Sequence, residues 1–202
     1  MTTLTSKEIT KFWIRLYLNT TTNLTDACIK RAYLDVCRTM HGIGKKQNEI
    51  CYAILNNFIK EICKEVTSMK FISQNNFDEW HEEKCNGLIE QFKKTLNYKI
   101  SYGQAQKWIN MTFKYLFVLG ERKINNIAMN YEFFHIPIDN IVLDKLSAMG
   151  ISKLKTSWSR VDKYEDYLDY QNKVRSKFQG QIPMDVEFRI FISELRQVQV
   201  GK

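Results

Sequence analysis

The chain has only two prolines and eight glycines in 202 residues. That is too little turn-forming material for the repeated tight reversals of a β-sandwich or barrel. Its five cysteines, Cys28, Cys37, Cys51, Cys63 and Cys85, all precede residue 86. They are odd in number and include no C-x-x-C pair, which argues against a disulfide framework and against a zinc ribbon. Thiols spaced along helical runs read as packing groups in a reducing compartment. No stretch is a continuous membrane span, and Met1 to Glu8 lacks the apolar core of a signal segment. The expected location is the cytoplasm, with no membrane attachment.

What is present is a globular balance of 44% hydrophobic and 26% charged residues. Lysine and arginine number 30 against 22 acidic residues, a net charge of +8. That excess favours a polyanionic partner, nucleic acid before an anionic membrane surface.

Hydrophobic spacing predicts long helices and no strand. Thr5 or Ser6 caps a helix running to Leu18, with Ile9, Phe12, Trp13, Leu16 and Tyr17 on one face. After a polar loop, 19–25, a second helix runs from Asp26 to about Met40, and a third from about Gln47 to Thr67. Residues 71–77 read as a connector, followed by a helix over 78–97 with Trp80, Leu88, Phe92 and Leu96 inward. Further helices are predicted over 103–119, after Asp139 to Met149, over 161–178 and over 184–195. The expected fold is all-α, divided into a helical lobe of about 1–97, a central segment of about 98–151 and C-terminal helices over 152–202.

Several local patterns invite chemistry and are better read as structure. Gly42-Ile43-Gly44-Lys45-Lys46 looks like part of a phosphate loop, but no apolar strand precedes it and no Gly-Lys-Ser/Thr follows. Arg38 and His41 stand too close together for the arginine–histidine pair of a helical ribonuclease. His81, Glu82 and Cys85 share a helix face without a second ligand cluster, so a packed histidine is the better reading. No metal or cofactor is expected.

The informative stretch is Ile100 to Ile151. Ala105, Trp108, Ile109, Thr112, Leu116 and Leu119 fall at the three-four spacing of a buried helix face, with Lys107 beside it near the helix start. Pro137 imposes an extended approach to Asp139, which opens the next helix, and Gly150 stops that helix. Here the sequence resembles the helix-hairpin-helix DNA glycosylases. Gly103 matches the first glycine of their hairpin, Lys107 the lysine of the bifunctional members, and Pro137-Ile138-Asp139 their Pro-x-Asp segment. The long gap between Lys107 and Asp139 is most similar to the branch of archaeal 8-oxoguanine glycosylases. Ala105 stands where the second hairpin glycine is usual, Ser101-Tyr102 replaces Leu-Pro, and no iron–sulfur cysteine cluster follows.

The resemblance implies a two-lobed fold with a helix-hairpin-helix element and a cleft between the lobes. It implies a monomer that flips a damaged or modified base out of double-stranded DNA and cleaves its N-glycosidic bond, in repair or in defence against phage with modified bases. Asp139 would be the essential carboxylate. Lys107 would be the nucleophile of a Schiff-base lyase step, with the positive end of its helix favouring the neutral amine. Backbone N–H groups around Gly103, Gln104 and Gln106 would grip a phosphate. Trp108, Trp158 and His135 are the candidates for the base pocket. Two rival readings follow from composition alone: a basic helical nucleic-acid-binding or regulatory protein without catalysis, and a helical protein-interaction module.

Overall fold

The structure, a computed structural model, describes residues 4–43 and 45–193, and every regular element among them is helical. Eight α-helices run in order: α1 (Ser6–Leu18), α2 (Leu24–Val36), α3 (Lys45–Ser68), α4 (Gln74–Leu96), α5 (Tyr102–Leu119), α6 (Asn140–Ala148), α7 (Tyr164–Lys177) and α8 (Pro183–Ser193). Short 3-10 turns occupy Cys37–Thr39, Ile127–Phe133 and Trp158–Arg160. The all-α expectation holds among the described residues, and none of their helices is long and apolar enough to cross a membrane.

The starts of the helices follow from capping chemistry. Thr5 and Glu8 form a capping box on α1, and Ser101 with Gln104 forms another on α5. Ser73 accepts from Asn76 N–H, so α4 begins four residues earlier than the expected Asp78 and shortens the predicted connector. Pro183, one residue before the expected start at 184, is the first residue of α8, where its missing N–H costs nothing. The expected end of that helix at Leu195 lies outside the described residues. The second helix gives way to a 3-10 turn at Cys37, short of the expected Met40.

Helix α5 is the axis of the molecule. It is buried on nearly all sides from Gly103 to Lys114, and packs most extensively against α2, with α4 and the 158–160 turn on other faces. Its closeness to that turn depends on Gly103. A Cβ there would stand 1.7 Å from the Trp158 carbonyl oxygen, so only glycine permits the approach. The buried apolar side chains form one contiguous cluster from α2 through α8. Cys28, Cys63 and Cys85 are buried free thiols within it, and Cys37 is half-buried. Helix α1 stands apart, with no buried residue.

Candidate active site

Lys107 and Asp139 meet. Lys107, on the second turn of α5, donates from Nζ to Asp139 Oδ2 at 2.6 Å, although 32 residues separate them in sequence. Asp139 is the N-cap of α6 and accepts from Val142 N–H at 2.9 Å through Oδ1. Each carboxylate oxygen therefore has a separate task, one closing a helix and one holding a lysine. Lys107 is only 4% exposed, whereas about a quarter of the Asp139 side chain reaches solvent.

The pair sits in the wall of a cleft of about 350 Å³, within the range of small-ligand sites. The same cleft is lined by Arg31 and Asp35 of α2 and Arg38 of the turn after it, with Tyr17, Tyr115, Trp158 and Phe191 as its aromatic side chains. Three cations and two carboxylates thus face one space. Tyr115 donates to Asp35, accepts from Tyr17 at 3.1 Å, and is pushed well above the ordinary phenol range by burial and by that carboxylate. It remains a hydrogen-bond donor at any physiological pH. The Arg31 guanidinium lies over the Tyr17 ring, 4.9 Å from its centre, and 3.3 Å from Asp35.

What aims Asp139 is the extended, buried segment 134–138 that precedes it. Having no neighbouring strand, this backbone is satisfied by side chains. Gln171 accepts from Ile136 N–H at 3.2 Å and donates to Ile136 O at 2.9 Å. Gln106 does the same for Ile138, at 3.3 and 3.1 Å. Asn110 adds a bond to Ile136 O. Pro137 lies between the two clamped residues and has no N–H to satisfy.

Behind the clamp runs a buried polar chain. Asn110 donates to Gln106 Oε1 and to the Tyr167 hydroxyl, which stands 2.7 Å from His135 Nδ1. His135 Nε2 lies 2.7 Å from Asp78, which also receives both terminal nitrogens of Arg175 at 2.8 Å. Burial alone would raise Asp78; the bonds from His135 and Arg175 outweigh it and hold the carboxyl below its ordinary range. His81 Nε2 faces Asn110 Oδ1, which can only accept, so that nitrogen carries the proton. Burial holds His81 and His135 below the usual histidine range, hence neutral.

These contacts reassign several expected site residues. The N–H of Gly103 donates to Val161 O, that of Gln104 to Ser101 Oγ, and that of Ala105 to Ser101 O. A phosphate would find these donors already engaged. The Gln104 side chain is tied to Thr39, and Gln106 is fully buried in the clamp. Trp108 is fully buried and donates to Ile29 O, so it belongs to the core and not to a base pocket. His135 is likewise internal. Of the three expected pocket residues only Trp158 lines the cleft.

Sequence reasoning missed Tyr17, Arg31, Asp35, Tyr115 and Phe191, which four different helices bring to the cleft. The i, i+4 pair of Arg31 and Asp35 was the one local signal available. No family model, curated protein or solved structure matches the chain.

Proposed function

We propose that the chain is a DNA glycosylase that excises a damaged or modified base by cleaving the N-glycosidic bond, on a two-lobed fold of the helix-hairpin-helix glycosylase kind. The observation that carries the reading is the 2.6 Å contact between Lys107 Nζ and Asp139 Oδ2 at the wall of an arginine-bearing, aromatic-lined cleft. The resemblance paired these two residues across a long gap, and they are adjacent in space.

The chemistry runs on the two side chains. As the C–N bond lengthens, positive charge grows on the sugar and the Asp139 carboxylate stabilises it. The departing base takes the bond electrons and a proton from solvent. In the hydrolytic form, Asp139 accepts a proton from an attacking water. In the lyase form, Lys107 first passes a proton to Asp139, and its nitrogen lone pair attacks the sugar carbon. The nitrogen then sheds a proton to solvent, and the ring oxygen leaves that carbon with the bond electrons and takes the proton held on Asp139, giving a protonated Schiff base from which elimination breaks the strand. Arg31 and Arg38 supply positive charge for flanking phosphates, and Trp158 offers a face to a flipped base.

The test is abasic-site formation, read with an aldehyde-reactive probe on oxidised, alkylated, deaminated and phage-modified DNA. Asp139→Asn keeps the cap on α6 but removes the anion, so excision is expected to vanish while circular dichroism shows an intact fold. Lys107→Gln is expected to abolish borohydride trapping. Excision that survives Asp139→Asn removes the mechanism. Salt-dependent DNA binding with no base release on any substrate favours the non-catalytic binding protein instead.

A further inference from the structure

Helix α1 has a clear amphipathic pattern, yet none of its residues is fully buried. Phe12 and Trp13 are 59% and 60% exposed, and Leu16 and Ile9 are also open to solvent. Ile14 and Leu18 are the half-buried side of the helix, so the aromatic face points away from the body. Tyr17, Trp13 and Ile9 lie at four-residue steps and therefore form a row along one face. The inner end of that row, Tyr17, is part of the candidate cleft, and Phe12 and Leu16 line a shallow depression beside it with Arg15. Through Tyr17 the row is continuous with a cleft in which Arg38 stands beside the Arg31–Asp35 and Lys107–Asp139 ion pairs.

We infer that the strand presented to Asp139 is single-stranded DNA, with unpaired bases flanking the target stacking on the α1 row. Two independent observations converge on this. A track of exposed rings running out of a groove of net positive charge is the arrangement that holds single strands, since every base has a face to stack and every nucleotide a phosphate to neutralise. The backbone donors that would anchor a duplex at the start of α5 are, meanwhile, consumed inside the protein by Val161 and Ser101. A second copy of the chain is a poorer occupant. A helix of 13 residues is roughly 20 Å long, and one face of it falls well short of the ~800 Å² per partner of a stable interface. A purely apolar partner would leave the exposed Arg38 guanidinium of the adjoining cleft unanswered. The inference rests on the excision reading for its chemistry, but its binding arm is independent of that reading.

The experiment uses the full chain with a fluorescein-labelled single strand of mixed sequence and the same strand annealed to its complement. Affinities come from anisotropy, and abasic sites are counted on both forms of any DNA that proves to be a substrate. The double variant Phe12→Ser with Trp13→Ser removes only exposed rings, so folding is not at stake. The wild type is expected to bind the single strand about tenfold or more tightly than the duplex, and the variant to lose roughly tenfold on the single strand alone. Equal or tighter duplex binding overturns the inference, as does an unchanged variant. A variant whose only effect is to dissociate a dimer also overturns it, assigning α1 to self-association. Strand preference without base release on any DNA upholds this inference and ends the excision reading. Base release from duplex alone does the reverse.

Discussion

Gly103→Ala separates two roles that one residue could have, a phosphate-gripping glycine or a packing glycine. The added methyl carbon would lie 1.7 Å from Trp158 O and 2.8 Å from Trp158 C. Both sides of the clash are backbone, so no rotamer change relieves it, and α5 must part from the 158–160 turn. That parting breaks the 3.2 Å bond from Gly103 N–H to Val161 O, worth about 1 kcal/mol. Strain and lost packing add about 1–3 kcal/mol. Alanine returns up to about 1 kcal/mol through its better helix propensity. The net expectation is a loss of about 1–4 kcal/mol, which for a domain of this size lowers Tm by roughly 2–16 °C. Urea and thermal unfolding followed by circular dichroism measure it directly. A Gly103→Ala protein as stable as wild type, with weakened DNA binding, would refute the packing argument and restore the phosphate role.

Other perturbations test the interior. His81 and His135 are held neutral by burial, while the unfolded chain protonates each near the ordinary value of 6.5. Their contribution is therefore complete above pH 6.5 and is lost as pH falls below it, by up to about 1.4 kcal/mol per histidine per pH unit. A Tm that stays flat from pH 7 to pH 5 would contradict the network. Lys114 and Glu187, 7% and 3% exposed, form a buried ion pair at 2.6 Å. Lys114→Met should cost about 3–5 kcal/mol in urea unfolding, and adding Glu187→Leu should recover much of it; an innocuous single change would show the pair to be solvated. Gln171→Leu strips Ile136 of both bonds to that side chain, so about 2–4 kcal/mol should be lost and the Ile136 amide should lose hydrogen-exchange protection. Unchanged protection would mean that another group holds the segment.

Helix identity was legible in the sequence because spacing and caps are local. The 3.6-residue period placed α5, and Asp139 and Thr5 marked helix starts by their own chemistry. The ends of α2 and the start of α4 were not legible, since a 3-10 turn and a serine cap four residues before the first apolar position leave little trace in periodicity. The meeting of Lys107 with Asp139 was anticipated only through a resemblance; nothing in their spacing requires it. Gln104, Gln106, Trp108 and His135 were misjudged for one shared reason. Polar and amphipathic side chains are scored as available from sequence, yet each of these finds a partner inside: Thr39, Ile138, Ile29 and Asp78 respectively. The distal wall of the cleft was invisible because it is assembled from α1, α2, α5 and α8.

The two glutamines that grasp Ile136 and Ile138 give Pro137 a task beyond stiffening the chain. Each glutamine needs a residue offering both an N–H and a C=O. If the segment slid by one position in either direction, Pro137 would arrive opposite one of the two glutamines with no N–H to offer. The imino acid thus works as a ratchet tooth, making the neighbouring registers of this strandless backbone mismatched by construction. Asp139 is the next residue but one, so the same tooth fixes which side chain is delivered to Lys107.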